Sequence, residues 1–92
     1  MSVIAVHCIV SGRVQGVGFR YSTEHKAREL GLAGWVRNRA DGSVELVAQG
    51  HDDAVAAMLA WLGAGPRFAN VSAVRTTDIE VDPALDGFGV RY

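Results

Sequence analysis

A glycine-rich stretch from Gly12 to Arg20 constrains the fold of this chain more than any other segment. It is spelled GRVQGVGFR and joins a β-branched apolar run, Val3 to Val10, to a helix-like segment that begins near Tyr21. Since the stretch contains no proline, every residue in it keeps its backbone N–H, and its three glycines allow the positive φ angles that turn successive N–H groups toward one point. The pattern predicts a strand, a tight loop that can surround an anion, and a helix in direct succession.

Three features of this predicted loop favour a ligand the size of phosphate. Its N–H groups would converge, the following helix would present the positive end of its dipole, and Arg20 adds a guanidinium that can bind two oxygens at once. A glycine-rich connection between a strand and a helix can also be a turn that binds nothing, which is the alternative interpretation.

Hydrophobic periodicity predicts that the rest of the chain completes one sheet and two helices. Alternating or β-branched runs predict strands, and apolar residues at helical spacing predict helices. The later predicted strands are Leu32 to Asn38, Ser43 to Gly50, Asn70 to Ile79 and Phe88 to Tyr92, and the predicted helices are Tyr21 to Leu30 and a second one from Asp52 that is ended by Gly63, Gly65 and Pro66.

The order of these elements predicts the fold class. Strand, helix, hairpin, helix and strand, followed by a short C-terminal strand, fold through right-handed crossovers into an antiparallel sheet with both helices on one face. We therefore predict a ferredoxin-like α+β two-layer sandwich of βαββαβ topology, whose first four strands lie in the order 4-1-3-2. The pattern does not indicate where the last strand pairs.

Composition limits the ways in which an anion can be recognised. With 9 basic and 10 acidic side chains, the net charge is −1, which provides no broad basic surface for nucleic acid or for an anionic membrane.

The 92 residues, 49% of them hydrophobic, suffice for one domain, residues 1–92, with a single core. The only cysteine, Cys8, lies in an apolar run where we expect it to be buried, and no apolar segment approaches membrane-spanning length. We therefore expect a soluble, cytoplasmic protein.

Two motifs resemble the signatures of the acylphosphatase family. The first is the stretch from Gly12 to Arg20, and the second is Gly34-Trp35-Val36-Arg37-Asn38 with Gly42, Val44 and Gly50 at the matching spacing. The length of the chain, the order of its predicted elements and its closing segment, Phe88 to Tyr92, are also similar to the family. The resemblance spans nearly the whole chain.

The resemblance implies an enzyme that hydrolyses the carboxyl–phosphate anhydride bond of small acyl phosphates without a metal or an organic cofactor. Because a carboxylate departs without help from a protein acid, such an enzyme mainly positions the phosphoryl group and stabilises its charge. By the same resemblance, Asn38 holds the attacking water, and the phosphate-binding loop comprises Gln15, Gly16, Val17, Gly18, Phe19 and Arg20. The products would be a carboxylate and inorganic phosphate, and we expect a monomer.

Other functions of such a fold make different demands on the sequence. A non-catalytic phosphate-binding module would need the loop and Arg20 but not Asn38, which is present. An RNA-binding sheet would need aromatic side chains on its two middle strands, Val3 to Val10 and Ser43 to Gly50, and neither contains one. A carbamoyl-phosphate-handling domain of a larger maturation enzyme is less consistent with a chain that ends at Tyr92.

Two of the three histidines, His25 and His51, are the candidates for a side-chain base. His25 and His51 fall on polar positions away from both motifs, so we expect both on the surface. His7 points to the second face of the first strand, where we expect a partly solvated side chain and not a metal ligand, since no second histidine is near it in sequence.

Overall fold

The computed structural model describes residues 2–92 and contains two helices and five strands. They are β1 (Val3–Arg13), α1 (Phe19–Glu29), β2 (Ala33–Asn38), β3 (Val44–His51), α2 (Asp52–Ala64), β4 (Asn70–Ile79) and β5 (Phe88–Arg91). This order confirms the predicted sequence of elements. Neither helix within residues 2–92 is both long and apolar enough to cross a membrane.

The junction between β1 and α1 differs from the predicted boundaries. β1 continues beyond Val10 because residues 11–13 also pair with β4, through an irregularity in the register. α1 begins at Phe19, two residues earlier than predicted, because Gly18 adopts a left-handed conformation and becomes the N-cap of the helix. The loop is therefore shorter than expected, and Arg20 lies in the first turn of α1 instead of at the end of the loop.

The strands lie in the order β4-β1-β3-β2-β5, which confirms the predicted order 4-1-3-2 for the first four. β1 pairs antiparallel with both β3 and β4, and β2 pairs antiparallel with β3. β5, whose neighbour had not been predicted, pairs parallel with β2, so that Gly34 lies opposite Phe88 and Arg37 opposite Arg91. The sheet is thus antiparallel except for this one parallel pair at its edge.

One face of the sheet is buried beneath both helices, as the apolar pattern predicted. The buried residues of this layer include Val6, Cys8 and Val10 of β1, Val44, Leu46 and Ala48 of β3, Phe19 and Ala27 of α1, and Val55, Met58 and Leu62 of α2. Each large apolar side chain buried here contributes about 1.5–3 kcal/mol, and this layer fixes the position of α1 on the sheet. Cys8 is fully buried, a core residue as expected, and this burial raises the pKa of its thiol.

The opposite face of the sheet carries the connection between β4 and β5. These are the two edge strands, so residues 80–87 have to cross the sheet to join them. Two hydrogen bonds mark the crossing: Gln49 Nε2 donates to the Asp82 carbonyl at 2.9 Å, and the Asp82 N–H donates to Gln49 Oε1 at 2.8 Å. The crossing brings β5 beside β2 and Tyr92 beside the first turn of α1.

Candidate active site

The end of β1 and the loop that follows it depend on glycines that other residues could replace only with strain. Gly12, Gly16 and Gly18 all have positive φ angles, as predicted. At Gly12, where φ is 121°, a Cβ atom would lie 2.2 Å from the carbonyl oxygen of Asn70, so β4 could not pair this closely. At Gly18, where φ is 77°, a Cβ atom would meet nothing, and only the backbone conformation requires glycine.

The loop and the first turn of α1 present backbone donors that have no internal partner. Within residues 2–92, the N–H groups of residues 15–21 find no acceptor, and the helix makes its first hydrogen bond from the Ser22 N–H to the Gly18 carbonyl at 3.0 Å. The first turn contains no Asp or Glu that would occupy these donors. Because the free N–H groups coincide with the positive end of the helix dipole, this segment suits an anion.

Arg20 adds a full positive charge at the same place. Its side chain is half-buried, and its guanidinium carbon lies 4.8 Å from the centroid of the Tyr92 ring. The ion pairs formed within residues 2–92 do not include Arg20, so its guanidinium is free to bind the oxygens of a ligand.

A cleft of about 420 Å³ lies over the loop and reaches the ends of β2 and β5. Its walls are formed by Val14, Gly16, Gly18, Phe19, Arg20, Tyr21, Glu24, Asn38, Val90 and Tyr92. The cleft therefore brings the two sequence motifs together, the first through four of its predicted phosphate-binding residues and the second through Asn38. Two residues of the predicted loop, Gln15 and Val17, do not line it.

Asn38 is the last residue of β2 and stands opposite Val44 of β3 in the antiparallel ladder. The ladder holds its backbone, while its half-buried side chain forms no hydrogen bond with any of residues 2–92. A carboxamide has both donor and acceptor atoms. The donor and acceptor atoms of the Asn38 side chain therefore remain available in the wall of the cleft.

Gln15 occupies a different position from the one expected of a residue that lines the cleft. Its side-chain Nε2 donates to the carbonyl of Arg39 at 2.7 Å and to the carbonyl of Ser43 at 2.9 Å. Both acceptors belong to the turn between β2 and β3, so the loop is tied by this side chain to the turn that follows Asn38. A glutamine within a glycine-rich loop carries no sequence signal of where its side chain points.

Five residues of the cleft were not predicted as site residues, and one of them, Val14, belongs to the glycine-rich stretch itself. Tyr21 and Glu24 come from α1, and Val90 and Tyr92 from β5 and the residue after it. Glu24 lies four positions after Arg20, a spacing that places both residues on one face of a helix. This spacing could have identified Glu24 as a residue of the cleft. Its Oε2 lies 3.5 Å from Nη2 of Arg28. Val90 and Tyr92 had no such signal, because their position depends on the pairing of β5 with β2.

The histidines lie away from the cleft. His25 and His51 are exposed, as expected, and neither forms part of its walls. His7 is half-buried on the helix-free face, where its Nε2 lies 2.6 Å from Oε2 of Glu45. In the part of the chain that the structure describes, no three His, Cys, Asp or Glu side chains are grouped so that they could hold a metal ion.

The fold and the cleft define a small ferredoxin-like α+β protein with a cleft that suits an anion where its first strand meets its first helix. The family model described as Acylphosphatase matches residues 6–90. An acylphosphatase of Bifidobacterium longum is 52% identical over 91 residues, which cover 98% of this chain and 94% of that protein. One of Pseudomonas aeruginosa is 50% identical over 91 residues, which cover 99% of each.

A solved structure agrees with these relatives. The structure of an acylphosphatase from Coxiella burnetii superposes with a TM-score of 0.92 at 46% sequence identity, and the match covers 97% of this chain and 93% of that one. This chain therefore belongs to the acylphosphatase family, which confirms the resemblance of its two motifs. Because the matches to these acylphosphatases extend over nearly the whole chain, the protein is an enzyme of this class.

Proposed function

We propose that this acylphosphatase holds the phosphoryl group of a small acyl phosphate in residues 15–20, with the Arg20 guanidinium, and that Asn38 positions the water that attacks it. The observation that carries the proposal is that Arg20 and Asn38, which belong to different elements, line one cleft. Arg20 forms none of the ion pairs found within residues 2–92, and the Asn38 side chain donates none of the hydrogen bonds found there.

The phosphoryl group is held by backbone and side chain together. The free N–H groups of residues 15–21 supply donors for its oxygens, and the helix dipole adds a favourable field at the same point. The guanidinium of Arg20 binds two oxygens at once, which fixes the orientation of the group as well as its position. Charge that spreads over the oxygens in the transition state is stabilised by the same donors.

The chemical step is an in-line displacement at phosphorus. Asn38 places a water so that its oxygen forms a bond to phosphorus while the bond from phosphorus to the acyl oxygen breaks. The electron pair of that bond leaves with the carboxylate, which needs no protein acid, and the products are a carboxylate and inorganic phosphate. A neutral carboxamide orients water but is not a strong base, so the proton of the water passes to an oxygen of the substrate.

We propose a monomer in the cytoplasm that binds neither nucleic acid nor membrane. Its support is the net charge of −1, which offers no broad basic surface, and a single cysteine that is buried. Light scattering after size-exclusion chromatography measures the mass, and a dimer at micromolar concentration would contradict this part of the proposal.

Phosphate release from benzoyl phosphate tests the proposal directly. We expect the wild-type protein to release inorganic phosphate well above the uncatalysed rate, and both Arg20→Ala and Asn38→Ala to lose most of that activity. His25→Ala, a change on the exposed side of α1, is the matched control and keeps normal turnover. Full turnover in either the Arg20 or the Asn38 variant would contradict the assigned roles, even though the enzyme class would stand.

A further inference from the structure

The side chain of Gln15 connects the two halves of the cleft. It starts in the phosphate-binding loop and ends at the turn between β2 and β3, where its Nε2 lies 2.7 Å from the Arg39 carbonyl and 2.9 Å from the Ser43 carbonyl. Both N–H groups of the Gln15 carboxamide therefore donate to carbonyls of the same turn. Gln15 neighbours Gly16 in the loop, and Arg39 neighbours Asn38, so the connection joins the residues next to each half of the site.

The turn that receives these hydrogen bonds is itself closely held. The Arg39 N–H donates to the Ser43 carbonyl at 2.9 Å, and the Gly42 N–H donates to the Arg39 carbonyl at 3.2 Å. Asp41 Oδ1 accepts the Ser43 N–H at 3.0 Å and the Ser43 hydroxyl, and these hydrogen bonds hold the pKa of Asp41 below its usual value. Because the turn is closed by its own bonds, a contact to it also fixes the end of β2.

We propose that Gln15 is a positioning residue for the hydrolysis: it sets the distance between the phosphoryl group in the loop and the water held by Asn38. This inference rests on the roles proposed above for Arg20 and Asn38. The loop and the end of β2 are distant in sequence, and Gln15 bridges them over a separation of 24 residues. Its side chain acts through the backbone of the turn and does not touch the substrate, while its backbone N–H stays among the donors of the loop.

The expected effect of losing this connection falls on the rate of the chemical step. A misplacement of reacting groups by about 1 Å can cost about 100-fold in rate, whereas the donors that bind phosphate are on the loop and on α1 and do not need the turn. We therefore expect Gln15→Ala to lower kcat by roughly 10- to 100-fold while KM, and the rise in Tm caused by inorganic phosphate, change by less than about threefold.

Gln49 provides a matched control for the loss of stability. Like Gln15, it makes two hydrogen bonds from its side chain to backbone, both to Asp82, but it lies on the helix-free face. Gln49→Ala should lower Tm by an amount similar to that in Gln15→Ala and leave kcat unchanged. If both variants keep wild-type kcat when assayed at least 15 °C below their own Tm, Gln15 has only a structural role and the proposal is wrong.

A double-mutant cycle separates positioning from an independent contribution. If Gln15 acts through the water held by Asn38, then Gln15→Ala should cause little further loss of kcat in an Asn38→Ala background. Losses that multiply would contradict the proposal, and so would a loss confined to KM and phosphate affinity, which would mean that Gln15 only shapes the loop. Gln15→Met, which keeps the volume without the donors, replaces Gln15→Ala if the latter does not fold.

The same cycle distinguishes this proposal from the proposed function on which it rests. Full turnover in Asn38→Ala alone would remove the assigned role of Asn38, whatever Gln15→Ala does. An inactive Asn38→Ala together with an unimpaired Gln15→Ala would leave that role in place and reject the positioning role of Gln15.

Discussion

The guanidinium carbon of Arg20 lies 4.8 Å from the centroid of the Tyr92 ring, so the final aromatic side chain contacts the residue that we propose binds phosphate. A cation–π contact at an exposed position is worth about 0.5–1 kcal/mol. Here it also restricts the directions in which Arg20 can point. The contact exists because β5 pairs with β2, which brings Tyr92 to the cleft.

Removal of this ring should weaken substrate binding moderately. We expect Tyr92→Ala to raise KM for benzoyl phosphate about two- to fivefold, which corresponds to the worth of the contact, and to leave kcat within twofold. Steady-state kinetics measure both constants. Tyr92→Phe keeps the ring and should behave as wild type; equal impairment in the two variants would indicate that the hydroxyl is the important group.

Substitution of Arg20 by lysine should remove most of the activity although the charge remains. Lysine has a single ammonium and no planar fork, so it cannot bind two phosphate oxygens in a fixed orientation. We expect kcat/KM to fall by about 100-fold, or about 2.7 kcal/mol, because one charge-assisted hydrogen bond worth about 1.5–3 kcal/mol is lost. Phosphate-release kinetics test this, and near wild-type values would contradict the assigned role.

Inorganic phosphate should stabilise the folded protein. A ligand that binds only the folded state raises its free energy of unfolding by about 2.7 kcal/mol at 100 times its Kd. We expect Tm to rise with millimolar phosphate in the wild type and not in Arg20→Ala, with sodium chloride at the same ionic strength as the reference. An equal rise in both proteins would place the anion elsewhere.

Asn38→Ala should separate catalysis from binding. Since Arg20 and the loop remain, phosphate should still raise Tm, while turnover falls by orders of magnitude because the water is no longer oriented, and each ~1.4 kcal/mol is tenfold in rate. Phosphate release and phosphate-dependent melting are measured on the same preparation. His25→Ala and His51→Ala serve as controls; loss of activity in either folded variant would require a mechanism with a histidine base.

A carboxylate on the helix-free face should make stability depend on pH. Oε2 of Glu45 lies 2.6 Å from His7 Nε2 and Oε1 lies 2.5 Å from Arg37 Nε, and the hydrogen bond with His7, followed by that with Arg37, holds the pKa of Glu45 below its usual value. Since the folded pKa is below the unfolded one of about 4.3, the stabilisation is present above that value and is lost as pH falls through the folded pKa.

Glu45→Gln should therefore lower the free energy of unfolding at pH 7 and flatten its decline between about pH 5 and pH 3. Urea unfolding across this range measures the profile. The exposed Glu80, which takes part in none of the ion pairs within residues 2–92, gives the control variant Glu80→Gln. Parallel profiles for wild type and Glu45→Gln would contradict the prediction.

The parts of the fold that depend on local pattern could be predicted from the sequence. The ends of β4 agree with its β-branched run, and the alternating residues of β1 and β3 are buried on the expected face. These features follow from periodicity, which each segment carries by itself. The order of the first four strands followed from the general handedness of crossover connections.

The parts that depend on contacts between distant residues could not be predicted in this way. The extension of β1 past Val10 needs β4 as a partner, and the place of β5 depends on how residues 80–87 cross the sheet. For the same reason Tyr92 was missed as a residue of the cleft. Arg20 emerged from the glycine-rich loop that it ends, and Asn38 emerged because it stands in a motif of a known family. The hydrogen bonds of the Gln15 side chain, in contrast, depend on its rotamer, which no pattern specifies.

The parallel pairing of β5 with β2 also decides how the protein should be prepared for these assays. Because Tyr92 lines the cleft, a purification tag fused after it would begin at the mouth of the proposed active site and compete with substrate for space. Val3 stands at the other end of β1 from the loop, about 30 Å away at about 3.3 Å per strand residue. A tag placed before Met1 leaves the cleft open, and kinetic constants from differently tagged preparations should not be compared.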